Sequence, residues 1–287
     1  MKTETQPDSE TVLFSFVVLN YRDPTLTETC VDHITRASRS LGFGYEVLIV
    51  DNSAEHTGSR WQSGFPAPHT KVICASSNLG FSKANNWGAS FACGRYLVAL
   101  NNDAFVTGEA LARAAEVLSV DGTIGIWSPA LVGLDGAPQA SAGGLPRLAD
   151  LVSEYLPFRP APKPISGGHE TPIRNVGSVI GACMVVPLRL FRELGGFDER
   201  YFFTVEDMDL CFQVQRAHYR VVYDSAVKIV HVGGASQTWK WINDPNLHRN
   251  RILYFHKNYG TLQGLASWAI ICFGLLLRRI FRLLRTS

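Results

Sequence analysis

Short, almost wholly apolar runs recur between stretches of helical spacing, and this alternation restricts the fold more than any other feature of the chain. Residues 12–19 (VLFSFVVL) are nearly all apolar, as a strand covered on both faces must be. Residues 25–41 set Leu26, Cys30, Ile34 and Ala37 on one helical stripe. Residues 46–50, 71–75 and 96–100 repeat the strand pattern, with helices expected over 82–93 and 108–118 and a fifth strand over 124–128. The expected fold class is therefore α/β: a mainly parallel sheet flanked by helices.

Composition narrows the function classes. Only 18% of the 287 residues are charged and the formal net charge is +2, which argues against a general nucleic-acid binder and hints at a membrane contact. Residues 245–287 hold seven Lys and Arg and no acid, so residues 1–244 carry 20 basic groups against 25 acidic ones. An acidic body with a basic, apolar tail suits an anionic surface. The six cysteines form no C-x-x-C pair and read as small core residues of a reduced compartment. Residues 1–10 read as a flexible polar tail with no signal-peptide pattern. Residues 133–175, rich in Pro and Gly, read as a long irregular excursion.

Polar residues stand where a parallel sheet binds ligands, beyond the carboxyl ends of its strands: Asn20-Tyr21, Asp51-Asn52-Ser53, Ser76-Ser77-Asn78 with Gly80, and Asn101-Asn102-Asp103. One such cluster is a turn signal; four in a row favour a crevice. No dinucleotide fingerprint, phosphate loop or H-E-x-x-H is present. Asp103 could hold Mg2+ or Mn2+, which share oxygen ligands with phosphates. In residues 195–210 (GGFDERYFFTVEDMDL), Phe197, Tyr201, Phe202 and Phe203 suggest an apolar wall beside Glu206, Asp207 and Asp209. Two readings of Asp207 stay open: a capping box from Thr204, or a general base for a hydroxyl. His231, before Gly233-Gly234, is either structural or a metal ligand.

These pieces together resemble the family 2 inverting glycosyltransferases, in the branch that includes bacterial rhamnosyltransferases of cell-wall and surface-polysaccharide assembly. The resemblance runs from about residue 15 to residue 260. It rests on Val18-Leu19-Asn20-Tyr21, Val50-Asp51-Asn52-Ser53, Asn78-Leu79-Gly80-Phe81-Ser82-x-x-Asn85-Asn86-x-Gly88, Leu100-Asn101-Asn102-Asp103, Gly181-Ala182-Cys183-Met184, Gly195-Gly196-Phe197-Asp198-Glu199, Glu206-Asp207-x-Asp209-Leu210 and His231. It implies a GT-A fold, with Asp51, Asn20 and Tyr21 at the nucleotide base. It implies further that Asn78, Gly80, Phe81, Asn85 and Asn102 belong to the nucleotide-sugar site, with Gly181 and Ala182 near the donor sugar. Asp103 and His231 would hold the divalent cation, Mg2+ or Mn2+. Asp207 would be the catalytic base, supported by Glu206. Asn101 stands where the family's D-x-D motif has its first acid, so one charge is missing.

The resemblance implies transfer of a sugar from a nucleoside diphosphate to a hydroxyl of a lipid-linked saccharide, with inversion. The leading donor is dTDP-rhamnose. The alternatives are a UDP-hexose donor, a non-catalytic sugar-nucleotide-binding protein, and a nucleotidyltransferase. The expected division is a donor half at 11–132, the irregular 133–175 region, an acceptor and catalytic half at 176–262 and a membrane-associating helix at 263–287. In that last stretch residues 264–277 are uncharged, short of the roughly 20 needed to span. Arg278, Arg282 and Arg285 share a face opposite Leu277, Ile280, Phe281 and Leu284. This pattern suits a helix lying on an anionic membrane, on the cytoplasmic face of the plasma membrane. Residues 246–259, basic and aromatic, either meet an acceptor pyrophosphate or form a solvated face. A second copy of the chain is a further candidate partner.

Overall fold

The computed structural model describes residues 12–53, 61, 64–156, 172–233 and 244–285. The tail at 1–10, Gly234, residues 157–171 of the Pro-rich region and the side chains of Arg282, Leu284 and Arg285 lie outside the described residues.

The amino-terminal elements are β1 (Val12–Asn20), α1 (Pro24–Leu41), β2 (Gly44–Asp51), β3 (Thr70–Cys74), α2 (Gly80–Ser90), β4 (Tyr96–Asn101), β5 (Ala104–Phe105), α3 (Gly108–Val120) and β6 (Ile124–Val132). There follow β7 (Ala142–Gly143), α4 (Leu148–Tyr155), β8 (Ile173–Asn175), β9 (Ser178–Val179), β10 (Cys183–Pro187), α5 (Leu188–Glu193), α6 (Glu206–Arg216), β11 (Arg220–His231), α7 (Pro245–Tyr259) and α8 (Thr261–Arg285). A nine-stranded sheet runs β3-β2-β1-β4-β10-β6-β11-β5, with β8 also on β11. The first four strands are parallel, and β10 runs against both β4 and β6.

The apolar runs are strands because both of their faces are covered. Phe14, Phe16 and Val18 of β1 join one core with Cys30, Val31 and Ile34 of α1 and Leu111 and Ala114 of α3. Val17 joins the opposite core with Ala84 of α2, Phe191 of α5 and Leu210 and Val214 of α6. Local signals close the helices: the Asp23 carboxylate accepts from Leu26 N at 2.9 Å and Gly42 ends α1 at φ +67°.

The Pro-rich region contains structure that its composition conceals. β7 pairs with β9, and α4 packs against α8 around the buried Leu151 and Tyr155. All six cysteines are free; Cys30, Cys183 and Cys211 are buried as expected, whereas Cys74, Cys93 and Cys272 are exposed.

α8 is longer than its uncharged core. Its stretch Thr261–Phe281 has the length and composition to cross a membrane, and 22% of that window is buried in the protein. Gly264, Ser267, Ile271 and Gly274 face inward, while Leu262, Leu265, Trp268, Phe273 and Leu276 are exposed. Arg278 does not lie with the lipid-facing cations of the expected pattern. Its guanidinium donates to the carbonyls of Glu154 (2.6 Å) and Tyr155 (3.1 Å), meeting acceptors that the end of α4 leaves unsatisfied.

Gly88 shows how tightly α2 meets the sheet: a Cβ there would stand 2.6 Å from Val17 Cγ1 and 2.9 Å from Val50 Cγ2. Gly88→Ala should therefore cost about 1–3 kcal/mol, read as a lower urea midpoint at unchanged slope.

Candidate active site

The strand ends build one floor. Asn20 Nδ2 donates to Asp51 Oδ1 at 2.8 Å, and Thr27 Oγ1 donates to Asn20 Oδ1 at 3.0 Å. Asn20 and Asp51 are both buried, so they brace the crevice from below. Asn52, not singled out as a site residue from the sequence, latches the next loop. It accepts from Leu79 N (2.7 Å) and donates to Asn78 Oδ1 and Gly80 O, each at 3.1 Å. Above this floor lies a cavity of about 370 Å³ lined by Tyr21, Asn52, Asn78, Gly80, Phe81, Asn101 and Asn102, and closed by Leu19, Phe202, Phe203, Asp244 and Asn246. Asn85 does not line it; its Nδ2 donates to Phe81 O one turn back. Asp244 and Asn246 open α7, far along the chain, and no motif marks them.

Gly80 is required where it stands. Its φ is +76°, and a Cβ would meet Phe202 O at 2.3 Å. Phe81 N donates to that same carbonyl at 2.6 Å, fastening the aromatic loop over the cavity.

Asp103 and His231 meet where β5 pairs with the end of β11. Asp103 Oδ1 lies 3.3 Å from His231 Nε2, and Asp103 Oδ2 accepts from Gly233 N at 3.2 Å. Burial alone would push the Asp103 carboxyl up; the hydrogen bonds from His231 and Gly233 outweigh it and hold the group below its usual range. Among the described residues no three or more His, Cys, Asp or Glu gather to enclose a metal. A carboxylate oxygen and an imidazole nitrogen set face to face suit a cation that draws its other ligands from phosphate and water.

The acidic motif opens α6. Thr204 does not cap this helix: the N-cap is Val205, at φ +74° without a side-chain cap, and Thr204 Oγ1 is buried without a partner. Asp207 turns toward β10 instead, its Oδ2 accepting from Gly181 N at 2.9 Å and its Oδ1 from Met208 N at 2.7 Å. Burial pushes the Asp207 carboxyl above its usual range, and these two N–H groups offset only part of that. Glu206 is 5% exposed, and its Oε2 has no partner. Burial, then the charge of Asp207, pushes its carboxyl well up; with two N–H donors on Asp207 and none on Glu206 Oε2, negative charge is better placed on Asp207.

Asp207 does not itself line either of the two cavities that its neighbours wall. Gly181, its donor, packs 3.2 Å (as a Cβ) from the Phe81 ring of the first cavity. On the other side Ile180, Val205 and Met208 line a second cavity of about 850 Å³, roofed by α4 and α7. Ala182 O accepts from Asn101 N at 3.0 Å, tying this wall to the Asp103 loop. Phe202 and Phe203 are half-exposed at the first cavity, whereas Phe197 and Tyr201 are core. Asn86 clasps Phe197, accepting from its N at 2.9 Å and donating to its O at 2.8 Å.

Lys257 of α7 bridges two motifs, its Nζ lying 2.7 Å from Asp198 and 2.6 Å from Asp209. Arg251 pairs with Glu154 at 2.7 Å. Two cations of the basic helix thus serve internal pairs, and Arg249 is exposed.

The family described as Glycosyl transferase family 2 matches residues 15–142, and the one described as Glycosyl transferase family group 2 matches residues 170–285. The chain is similar to the O-antigen biosynthesis protein RfbC of Myxococcus xanthus, with 27% identity over 77% of this chain, but it spans only 17% of that protein's length. It is also similar to the N-acetylglucosaminyl-diphospho-decaprenol L-rhamnosyltransferase of Mycobacterium tuberculosis, with 27% identity over 69% of this chain and 71% of that one. Among solved structures it resembles the mannosyltransferase PcManGT from Pyrobaculum calidifontis, in complex with GDP-Man and Mn2+. The TM-score is 0.58 at 19% identity, over 96% of this chain and 78% of that one, a likeness of fold. With matches over both halves and a GT-A-like mixed sheet between them, the chain belongs to glycosyl transferase family 2.

Proposed function

We propose that the protein is an inverting glycosyltransferase that moves a sugar from a nucleoside diphosphate to a hydroxyl of a lipid-linked saccharide. The observation that carries this reading is that the neighbours of Asp207 wall two cavities: its donor Gly181 packs on Phe81 of the smaller one, and Val205 and Met208 line the larger one. The donor enters the smaller cavity over Asn78, Gly80 and Phe81, with its base toward Tyr21 and the Asn20–Asp51 floor. Gly181 and Ala182 border the sugar. The acceptor enters the larger, mainly apolar cavity. Asp207 takes the proton from its hydroxyl as that oxygen attacks the anomeric carbon on the face opposite the departing diphosphate, which inverts the configuration. Glu206, neutral, keeps a second charge out of this wall. A divalent cation between Asp103 and His231 would stabilise negative charge on the diphosphate. Asn101 leaves that pair with a single carboxylate.

The rhamnosyltransferase relative supports rhamnose as the sugar and a polyprenyl-linked saccharide as acceptor; dTDP-rhamnose is the first donor to test and a UDP-hexose the second. The outward apolar face of α8 supports attachment to a membrane, and the reading assigns it to the cytoplasmic face of the plasma membrane.

The test is release of nucleoside diphosphate from a sugar-nucleotide panel, with and without chelator. Asp207→Asn should lower turnover about 10²- to 10⁴-fold while the donor still raises the melting temperature. Glu206→Gln, an amide in place of a neutral acid, should keep most turnover. Equal losses in the two variants would remove the assignment of base and proton holder.

Because protonated Asp207 cannot accept a proton, kcat/KM should fall as pH drops through its raised pKa. The acid limb should then lie above the ordinary aspartate value of about 3.9, and a pH–rate profile reads it. Leu265→Glu with Leu276→Glu should abolish co-sedimentation with phosphatidylglycerol vesicles without changing the fold measured by circular dichroism.

A further inference from the structure

Gln139 lies in the Pro-rich stretch, carries no charge and belongs to no motif. Its backbone N donates to Leu131 O at 2.9 Å, which anchors it at the end of β6. Its side chain makes two contacts to one residue: Nε2 donates to His231 O at 2.7 Å, and Oε1 lies 2.8 Å from His231 Nδ1.

The chemistry of this clasp leaves one arrangement. A carbonyl oxygen only accepts, so the amide end that faces His231 O is the NH2 group. The other end is then the amide oxygen, which also only accepts. The His231 Nδ1 against it must therefore carry a proton. In the neutral ring the remaining nitrogen, Nε2, bears the lone pair, and Nε2 is the atom 3.3 Å from Asp103 Oδ1. With Nδ1–H fixed by the clasp, the Nε2–Asp103 gap takes either a second proton, which makes the hydrogen bond from His231 to Asp103, or a cation that displaces it. Gly233 leaves room for the clasp: a Cβ there would stand 3.1 Å from His231 Nδ1 and 3.4 Å from Gln139 Nε2.

We propose that Gln139 is a positioning residue for the cation site: by accepting from Nδ1–H while donating to the backbone carbonyl of His231, it fixes the ring form that presents Nε2 as a metal ligand. This rests on the reading of Asp103 and His231 as the cation pair. Partners of this kind typically change metal affinity about 10- to 100-fold.

The test uses the full chain and Mn2+ alone. Nitrogen NMR of the metal-free protein, labelled at histidine, reads the neutral ring of His231 directly. The expected result is a proton on Nδ1 in the wild type and its redistribution toward Nε2 in Gln139→Leu. Loss of the free-ion Mn2+ EPR signal gives affinity, and Gln139→Leu should weaken it about 10- to 100-fold at a melting temperature close to wild type. Gln139→Glu keeps the acceptor against Nδ1 and should retain the wild-type ring form. A wild-type ring protonated on Nε2, or a Gln139→Leu protein with unchanged ring form and Mn2+ affinity, overturns the proposal. His231→Ala separates the two levels: if it leaves Mn2+ affinity unchanged, the cation pair itself falls, whereas a loss there with none in Gln139→Leu defeats only the role of Gln139.

Discussion

The hydrogen bond from Asn101 N to Ala182 O joins two stretches of chain 81 residues apart, and the site is assembled around that seam. β10 enters the sheet antiparallel beside β4, with Cys183 opposite Leu100. This register sets Gly181 and Ala182 beside the polar end of β4. Gly181 then offers its N–H to Asp207, while Asn101 leads two residues on to Asp103. A slip of one residue would turn Met184 and Val185 to the wrong faces of two separate cores, so packing holds the register that the chemistry uses.

Backbone strain marks the other side of the site. Thr204 and Val205 both have φ near +75°, although neither is glycine and Val is β-branched. Such conformations cost on the order of 1–3 kcal/mol each and persist only where the surroundings dictate them. Here Asn250 Nδ2 donates to Phe203 O (2.8 Å) and Thr204 O (3.0 Å), and Phe81 N holds Phe202 O. The loop is pinned from α2 and α7 at once. The bend delivers Asp207 to Gly181 in place of the helix cap that Thr204 would otherwise have formed.

Much of the fold could be read from the chain because its strands are buried on both faces: β1, β2 and β4 each alternate residues between two cores, which demands continuous apolar runs. The polar strand ends were equally plain, and Tyr21, Asn78, Gly80, Phe81 and Asn102 do line one cavity. What escaped notice depends on contacts between distant segments. Asp244 and Asn246 reach the cavity only because α7 folds back over it. α4 was hidden by neighbouring prolines, and its role as roof of the second cavity has no local signature. Arg278 reads as a membrane-facing cation in the sequence because its partners are backbone carbonyls, which no side-chain pattern reveals. Gln139 carries neither charge nor motif, so only the distances to His231 single it out.

The Lys257 bridge ties α7 to Asp198 and Asp209, the flanks of the acidic motif, and α7 packs along α8. If α8 is embedded in lipid as proposed, such a brace would leave α8 and the proposed base Asp207 little freedom to move independently. The protein would then act as a ruler standing on the bilayer: the hydroxyl it modifies would be chosen partly by altitude, the number of sugar units between lipid and tip, and not by shape alone.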